Sequence, residues 1–145
     1  MQIVDRVPDC NGCSACIVGC YDRTIEMKKD PKTGNKYPRV KENGCSKCNN
    51  CILYCPLYLP VELPTFTQYF AYDRTYYERD MPKIYRETMR DAKAGKHIHF
   101  TGPLCQVAAL QALLGDTIPP NLTILPLACD PGHPDRPECA RCHFW

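Results

Sequence analysis

Two stretches of this chain repeat one spacing of cysteine. Residues 10 to 20 read CNGCSACIVGC and residues 45 to 55 read CSKCNNCILYC, each Cys-x2-Cys-x2-Cys-x3-Cys, the second followed by Pro56. The repeat is a strong constraint on the fold, because three thiols at intervals of three residues must be gathered on one tight curl of backbone while the fourth is carried onward. The chain holds twelve cysteines in 145 residues, a density that implies either a disulfide scaffold or a set of metal ligands.

The surroundings decide between those two. MQIVDRVPDC at the start has no apolar signal-peptide core, and no stretch approaches the roughly 18 apolar residues of a membrane span. The expectation is a cytoplasmic, reducing setting with no membrane insertion, where clustered cysteines ligate metal more often than they pair. The formal net charge of +2 counts thiols as neutral. Four thiolates around each of three oxidised iron–sulfur cages would bring it to about −4, so the charge gives no argument for nucleic acid. Fourteen prolines, many in turns or beside cysteines, fit short loops organised by cofactors rather than by a large apolar core.

A cubane [4Fe-4S] cluster needs one soft ligand for each of four irons. Three thiolates spaced two residues apart wrap one region of the cage, and in two-cluster ferredoxins the fourth is donated across to the other cluster. Applied here, one site takes Cys10, Cys13, Cys16 and Cys55, and the other takes Cys45, Cys48, Cys51 and Cys20. Zinc sites use two separated pairs, and disulfides have no reason to repeat this spacing. Cys20 is followed by Tyr21 rather than proline, which affects the local turn more than ligation. Small residues at Gly12, Ser14, Ala15 and Gly19 let backbone amides approach sulfur.

The rest of the chain predicts an α+β fold, a bacterial-type dicluster ferredoxin module followed by a small βαβ unit carrying a third metal site. Residues 1–60 form the ferredoxin domain, 61–96 an aromatic and proline-rich wrap with a basic amphipathic helix, and 97–145 the βαβ unit. Within the first, IEMKKDPKTGNKYPRV has strand-like ends around a turn and predicts a hairpin from Ile25 to Val40. Residues 57–77 have no clean period and are expected to be irregular, with a short helix around Phe66 to Tyr72. DMPKIYRETMRDAKAG predicts a helix capped by Asp80, with Pro82 in its first turn and Gly95 at its end. Met81, Ile84, Tyr85, Thr88 and Ala92 share one face of it. The opposite row of Lys83, Arg86, Arg90 and Lys93 is either a solvated face or a docking face for an acidic redox partner.

HIHFTG, LCQVAALQALLG and NLTILPLAC then read as strand, helix and strand, which pair in parallel through a right-handed crossover. Two strands cannot stand alone, so this unit is expected to pack on the first module or on another chain. Four cysteines remain. Cys105 falls in the first turn of the helix and Cys129 just past the second strand, both at the carboxyl edge of the sheet, where Cys139 and Cys142 of RPECARC can fold back to meet them. The third site so formed takes either a [4Fe-4S] cluster or zinc, and in the zinc case His133 or His143 could replace a cysteine. His97 and His99 read as surface histidines of their strand.

The order of a double ferredoxin motif, FTGPLCQVAALQALLG, ILPLACDPG and RPECARC resembles the iron–sulfur portion of the deazaflavin-linked hydrogenase/dehydrogenase beta-subunit family. The likeness runs from Cys10 to Cys142. It implies the family's electron-transfer wiring. The Ser-Gly-Gly segment and longer C-terminal region with which the family holds flavin have no counterpart here, so flavin is not expected in this chain alone.

These features predict an iron–sulfur electron-transfer protein or subunit, passing single electrons through two or three [4Fe-4S] clusters to redox partner proteins in a larger oxidoreductase complex. Two other classes stay open: a reductase subunit whose flavin pocket a partner completes, and a zinc or redox-sensing interaction module. Phe144 and Trp145 could anchor to a partner or tuck onto the chain itself.

Overall fold

The computed structural model describes residues 10, 12–29, 31, 36–41, 44–48, 50–57, 68–69, 75–115 and 117–128. The cysteine repeat is also a repeat of backbone. Helix α1 (Ala15–Gly19) begins five residues after Cys10, and α2 (Asn50–Leu53) begins five residues after Cys45. Gly12 and Lys47, which hold the same place in the two motifs, both have left-handed backbone, with φ 74° and 60°. That conformation is ordinary for glycine and uncommon for lysine, so the shape of the loop is imposed by the motif rather than by local preference.

Between the two motifs lies the expected hairpin. Strands β1 (Ile25–Lys29) and β2 (Lys36–Val40) pair antiparallel, in a register that sets Ile25 against Val40 and Lys29 against Lys36. Ile25 and Val40 are buried with Cys16 in a small apolar cluster, so the hairpin forms a floor under the first motif.

The second half is a three-stranded parallel sheet with helices packed on it. Its strands are β3 (Gln68–Tyr69), β4 (Ile98–Pro103) and β5 (Leu122–Ala128), in the order β3-β5-β4. β4 and β5 run parallel from Ile98 against Leu122 to Pro103 against Leu127, joined by α5 (Leu104–Leu114). This is the expected βαβ unit. The third strand corrects the sequence reading: residues 68–69, placed in an irregular wrap or a short helix around Phe66 to Tyr72, pair instead with Leu127 and Ala128. A two-residue edge strand has no periodicity of its own to betray it; what makes it a strand is the open edge of β5. The helix of this region comes later, as α3 (Thr75–Glu78).

Helix α4 (Met81–Lys93) follows its sequence signals closely. The Asp80 carboxylate accepts from the Lys83 amide at 3.4 Å, Pro82 occupies the first turn, and Gly95 follows the last turn at φ 84°. Met81, Tyr85, Thr88 and Ala92 are buried, while Lys83, Arg86, Arg90 and Lys93 are exposed. Helix α5 is apolar all round and buried from Leu104 to Ala112. Between these helices and the sheet, Met81, Tyr85, Phe100, Val107, Leu110 and Leu122 form the main core. Fully burying side chains of this size stabilises the fold by about 1.5–3 kcal/mol each.

Ala15 of α1 belongs to that same core, with Cys13 and Val18 packed against it. The first cysteine motif and the helical layer of the second half therefore share one interior, as the sequence reading expected of a βαβ unit too small to stand alone. The neighbouring contact between α1 and α2 depends on Gly19, because a Cβ there would run into the ring of Tyr54. Gly19→Leu is expected to force the helices apart and lower stability by about 1–3 kcal/mol, read as a shift in an anaerobic urea unfolding curve. An unshifted midpoint would mean that Tyr54 moves aside freely.

Candidate metal centre

Nine cysteines lie among the described residues, all as thiols with no disulfide between them. In both motifs the third cysteine, Cys16 or Cys51, sits on the second residue of the short helix, and the fourth, Cys20 or Cys55, lies beyond its end. The first two cysteines of each motif thus lie on the loop before the helix, the third on it and the fourth after it.

The electrostatic neighbours of these sulfurs fall into two sets. Burial pushes the Cys13 thiol well up, and the adjoining charges that raise it further are those of Cys16, Cys10 and Cys55. Burial also raises Cys16, whose first two sulfur neighbours are again Cys10 and Cys55, with Cys51 third. Cys51 is raised by burial too, and its sulfur neighbours are Cys20, Cys48 and Cys45. Cys16 and Cys51 couple directly, which places the two sets side by side. Unaided, sulfurs held this way keep their protons; a positively charged core would be needed to make thiolates of them.

Backbone amides point at the sulfurs in a pattern that also repeats. Gly12 N–H donates to Cys10 Sγ at 3.5 Å. The amides of Ala15, Ile17 and Ile52 serve Cys13, Cys16 and Cys51, and Ile17 and Ile52 are equivalent positions of the repeat. Cys20 receives several such bonds. Partial burial raises its thiol, but hydrogen bonds from the Thr24 hydroxyl and the amides of Thr24, Asp22 and Arg23 outweigh that and leave it below its ordinary value. Thr24 N and Oγ1 lie 3.4 Å and 3.5 Å from its sulfur. Asp22 also ties the two motifs together, its carboxylate accepting from the Ser46 amide at 2.7 Å, a bond that holds its pKa down.

Cys105 is buried at the start of α5. Gly102 and Gln106 of the FTGPLCQVAALQALLG segment build its neighbourhood together with Tyr76 and Arg79, which no sequence motif marks. Gln106 donates to the Tyr76 carbonyl at 2.6 Å and accepts from the Arg79 guanidinium at 2.6 Å. Arg79 donates further to the carbonyls of Thr101 and Tyr76, at 3.3 Å and 3.4 Å, and lies 4.8 Å from the Tyr76 ring centre. Gly102 makes room for this clasp, since a Cβ there would sit 2.8 Å from Gln106 Oε1 and 3.2 Å from Arg79 Nη2. The result pins α3 and the end of β4 to the first turn of α5. The other expected ligands of a third site, Cys129, Cys139 and Cys142, lie outside the described residues, as do His133, His143, Phe144 and Trp145.

Tyr85 connects the two regions. Its hydroxyl donates to the Cys13 carbonyl at 2.8 Å, across 72 residues of sequence. Burial raises its pKa well above the usual phenol value, and the next contributors are Cys13 and Cys105. The ring therefore stands between the first motif and the start of α5, stacked on Phe100 at 6.2 Å between centroids. The sequence reading placed Tyr85 on the buried face of α4 but had no signal for its partner, which comes from tertiary packing alone.

With this geometry in view, a family model described as 4Fe-4S dicluster domain matches residues 9–57. No curated protein and no solved structure matches the chain. The N-terminal part is thus a ferredoxin-like 4Fe-4S domain set in a mixed helix and strand fold, and it supports an iron–sulfur electron-transfer role. Among the described residues, no helix is long and apolar enough to cross a membrane. Nothing in these comparisons links the chain to the deazaflavin-linked family suggested by its second half.

Tyr85→Phe leaves the Cys13 carbonyl without its donor in a buried setting. Stability is expected to fall by about 1–3 kcal/mol, with the domain still folded and coloured when checked by anaerobic urea unfolding and visible absorption. No loss of stability would show that the carbonyl finds another donor.

Proposed function

We propose that this protein is an electron-transfer iron–sulfur protein or subunit that relays single electrons to and from redox partner proteins. One [4Fe-4S] cluster would be held by Cys10, Cys13, Cys16 and Cys55, and a second by Cys45, Cys48, Cys51 and Cys20. The observation that carries this reading is the grouping of the sulfurs: Cys13 answers to Cys10, Cys16 and Cys55, and Cys51 to Cys20, Cys45 and Cys48. The grouping crosses between the motifs in the way a two-cluster ferredoxin requires.

The repeat in sequence favours a cage over a lone ion: zinc sites typically use two separated pairs of donors, whereas each motif here supplies an evenly spaced triplet and a fourth cysteine. When bound, the clusters supply the redox chemistry. The chain supplies the ligands, the amide hydrogen bonds on sulfur that favour the reduced, more negative state, and the burial that opposes it.

A third site formed by Cys105 with Cys129, Cys139 and Cys142, carrying either a [4Fe-4S] cluster or zinc, belongs to this proposal. So does membership of a larger oxidoreductase complex, which the resemblance of the chain from Cys10 to Cys142 to the deazaflavin-linked beta subunits suggests. On this reading the third site would neighbour the first cluster, since Tyr85 donates to the Cys13 carbonyl and feels the charge of Cys105.

Two measurements test these assignments. Anaerobically purified protein should contain about twelve iron and twelve sulfide per chain for three cubanes, or about eight of each plus one zinc for a mixed set. Cys105→Ser should remove one metal centre's worth and leave eight iron behind, in the first case a loss of about four. Zinc alone in the wild type, or unchanged metal content in the variant, would refute the electron-transfer reading or the third site respectively.

The two ferredoxin-type clusters should also differ in potential. Cys16 and Cys55 of the first set are buried, whereas Cys48 of the second is exposed and Cys20 accepts hydrogen bonds that outweigh its partial burial. Both differences favour adding an electron to the second cluster. A redox titration followed by electron paramagnetic resonance should show the second cluster reduced at the higher potential, and Thr24→Val should lower that potential alone. A drop in the other signal instead would reverse the assignment.

A further inference from the structure

An open groove of about 320 Å³ lies between the turn after α1 and the outer face of α4. Cys20, Tyr21 and Arg23 form one wall, Tyr54 contributes from beyond α2, and Arg86 and Met89 close it from α4. Among the described residues, no carboxylate lines it. Two cations from elements far apart in sequence thus face one concavity. Among the described residues neither Arg23 nor Arg86 is ion-paired, whereas Arg90 and Lys96 both reach Asp91, at 3.2 Å and 3.7 Å.

A basic helix face alone is most simply a solvated one. Three further observations set this one apart. Arg23 is held in left-handed backbone at φ 55°, a conformation that arginine adopts only where its surroundings impose it. The same residue gives its amide to the Cys20 sulfur. Tyr21, on the groove's wall, is 87% exposed, so apolar surface lies beside the two arginines. A small apolar spot beside two cations, next to Cys20, suits a transient electron-transfer contact: charge to steer the encounter and little area to prolong it.

We propose that this groove is the docking site for the acidic surface of a one-electron carrier protein, whose carboxylates pair with Arg23 and Arg86 while its redox centre comes over Cys20. The inference rests on the reading that Cys20 ligates the second cluster. The exchange is of one electron, lost by the reduced carrier and gained by this protein, with no bond made or broken.

A flavodoxin, an acidic flavoprotein that carries single electrons, is the probe. Binding to the full-length, anaerobically purified protein is measured by calorimetry at low ionic strength and again at physiological salt, where exposed charges are screened beyond about 8 Å. The wild type is expected to bind and to weaken with salt. Arg86→Glu and Arg23→Glu should each weaken binding about tenfold or more, while Lys28→Glu on the hairpin leaves it unchanged. Circular dichroism checks that each variant is folded, and Arg86, on an exposed helix face, gives the cleaner test of the two. Absence of wild-type binding, or equal binding by Arg86→Glu and the wild type, overturns the docking site. Iron and sulfide are counted on the same samples. Arginine-dependent binding by a protein that holds no iron would sink the electron-transfer reading and leave the docking site standing.

Discussion

Everything in this fold depends on how a five-residue helix is held. α1 is far too short to persist by its own hydrogen bonds, since an isolated helix needs roughly 12–15 residues to be even marginal in water. It persists because Ala15 enters the core formed by α4, α5 and the sheet, and because Tyr85 satisfies the carbonyl of Cys13 just ahead of it. Helix α2 buries no residue of its own and leans on α1 through the close approach at Gly19. Order therefore passes from the apolar core to the first motif, and from the first motif to the second. In the same sense the aliphatic second half is part of the metal-binding apparatus, although only one of its described residues is a cysteine.

Much of this was legible in the sequence, and what was legible had local causes. The hairpin showed itself by strand-like ends around a turn, α4 by its cap and its buried stripe, and the βαβ unit by two apolar strands flanking an apolar helix closed by Gly115. The eight ferredoxin-type cysteines were legible as a repeated spacing, and their division into crossed sets was an expectation taken from cluster chemistry that stays part of the proposal. Strand β3 was missed because a two-residue pairing is decided by the edge it joins, not by its own residues. The clasp of Arg79, Gln106, Tyr76 and Gly102 was missed for the same kind of reason. Each of those residues is unremarkable alone, and only the folded chain brings a guanidinium from α3's end onto a side-chain amide of α5.

The two motifs also show how a repeated sequence acquires unequal surroundings. Both start their helices at the same offset, both place left-handed backbone before the second cysteine, and both aim an isoleucine amide at the third. The first is then sealed against the core, while the second keeps an exposed cysteine, Cys48, and has Cys20 of the first motif's trailing turn as a neighbour of Cys51. Asp22, in that turn, reaches the Ser46 amide at the head of the second motif. This hydrogen bond crosses between the motifs, so neither holds its shape as a self-sufficient unit.

The contact between Tyr85 and Cys13 has a consequence for how the molecule comes into being. Chains emerge from the ribosome at about 5–20 residues per second, and the partner of Cys13 lies 72 residues downstream, with the rest of the core later still. The motif that is synthesised first is the one whose walls arrive last. Its thiols and the apolar side of α1 must wait, uncovered, for the far end of the chain, and this makes the nascent protein dependent on whatever shelters such sulfurs during the delay.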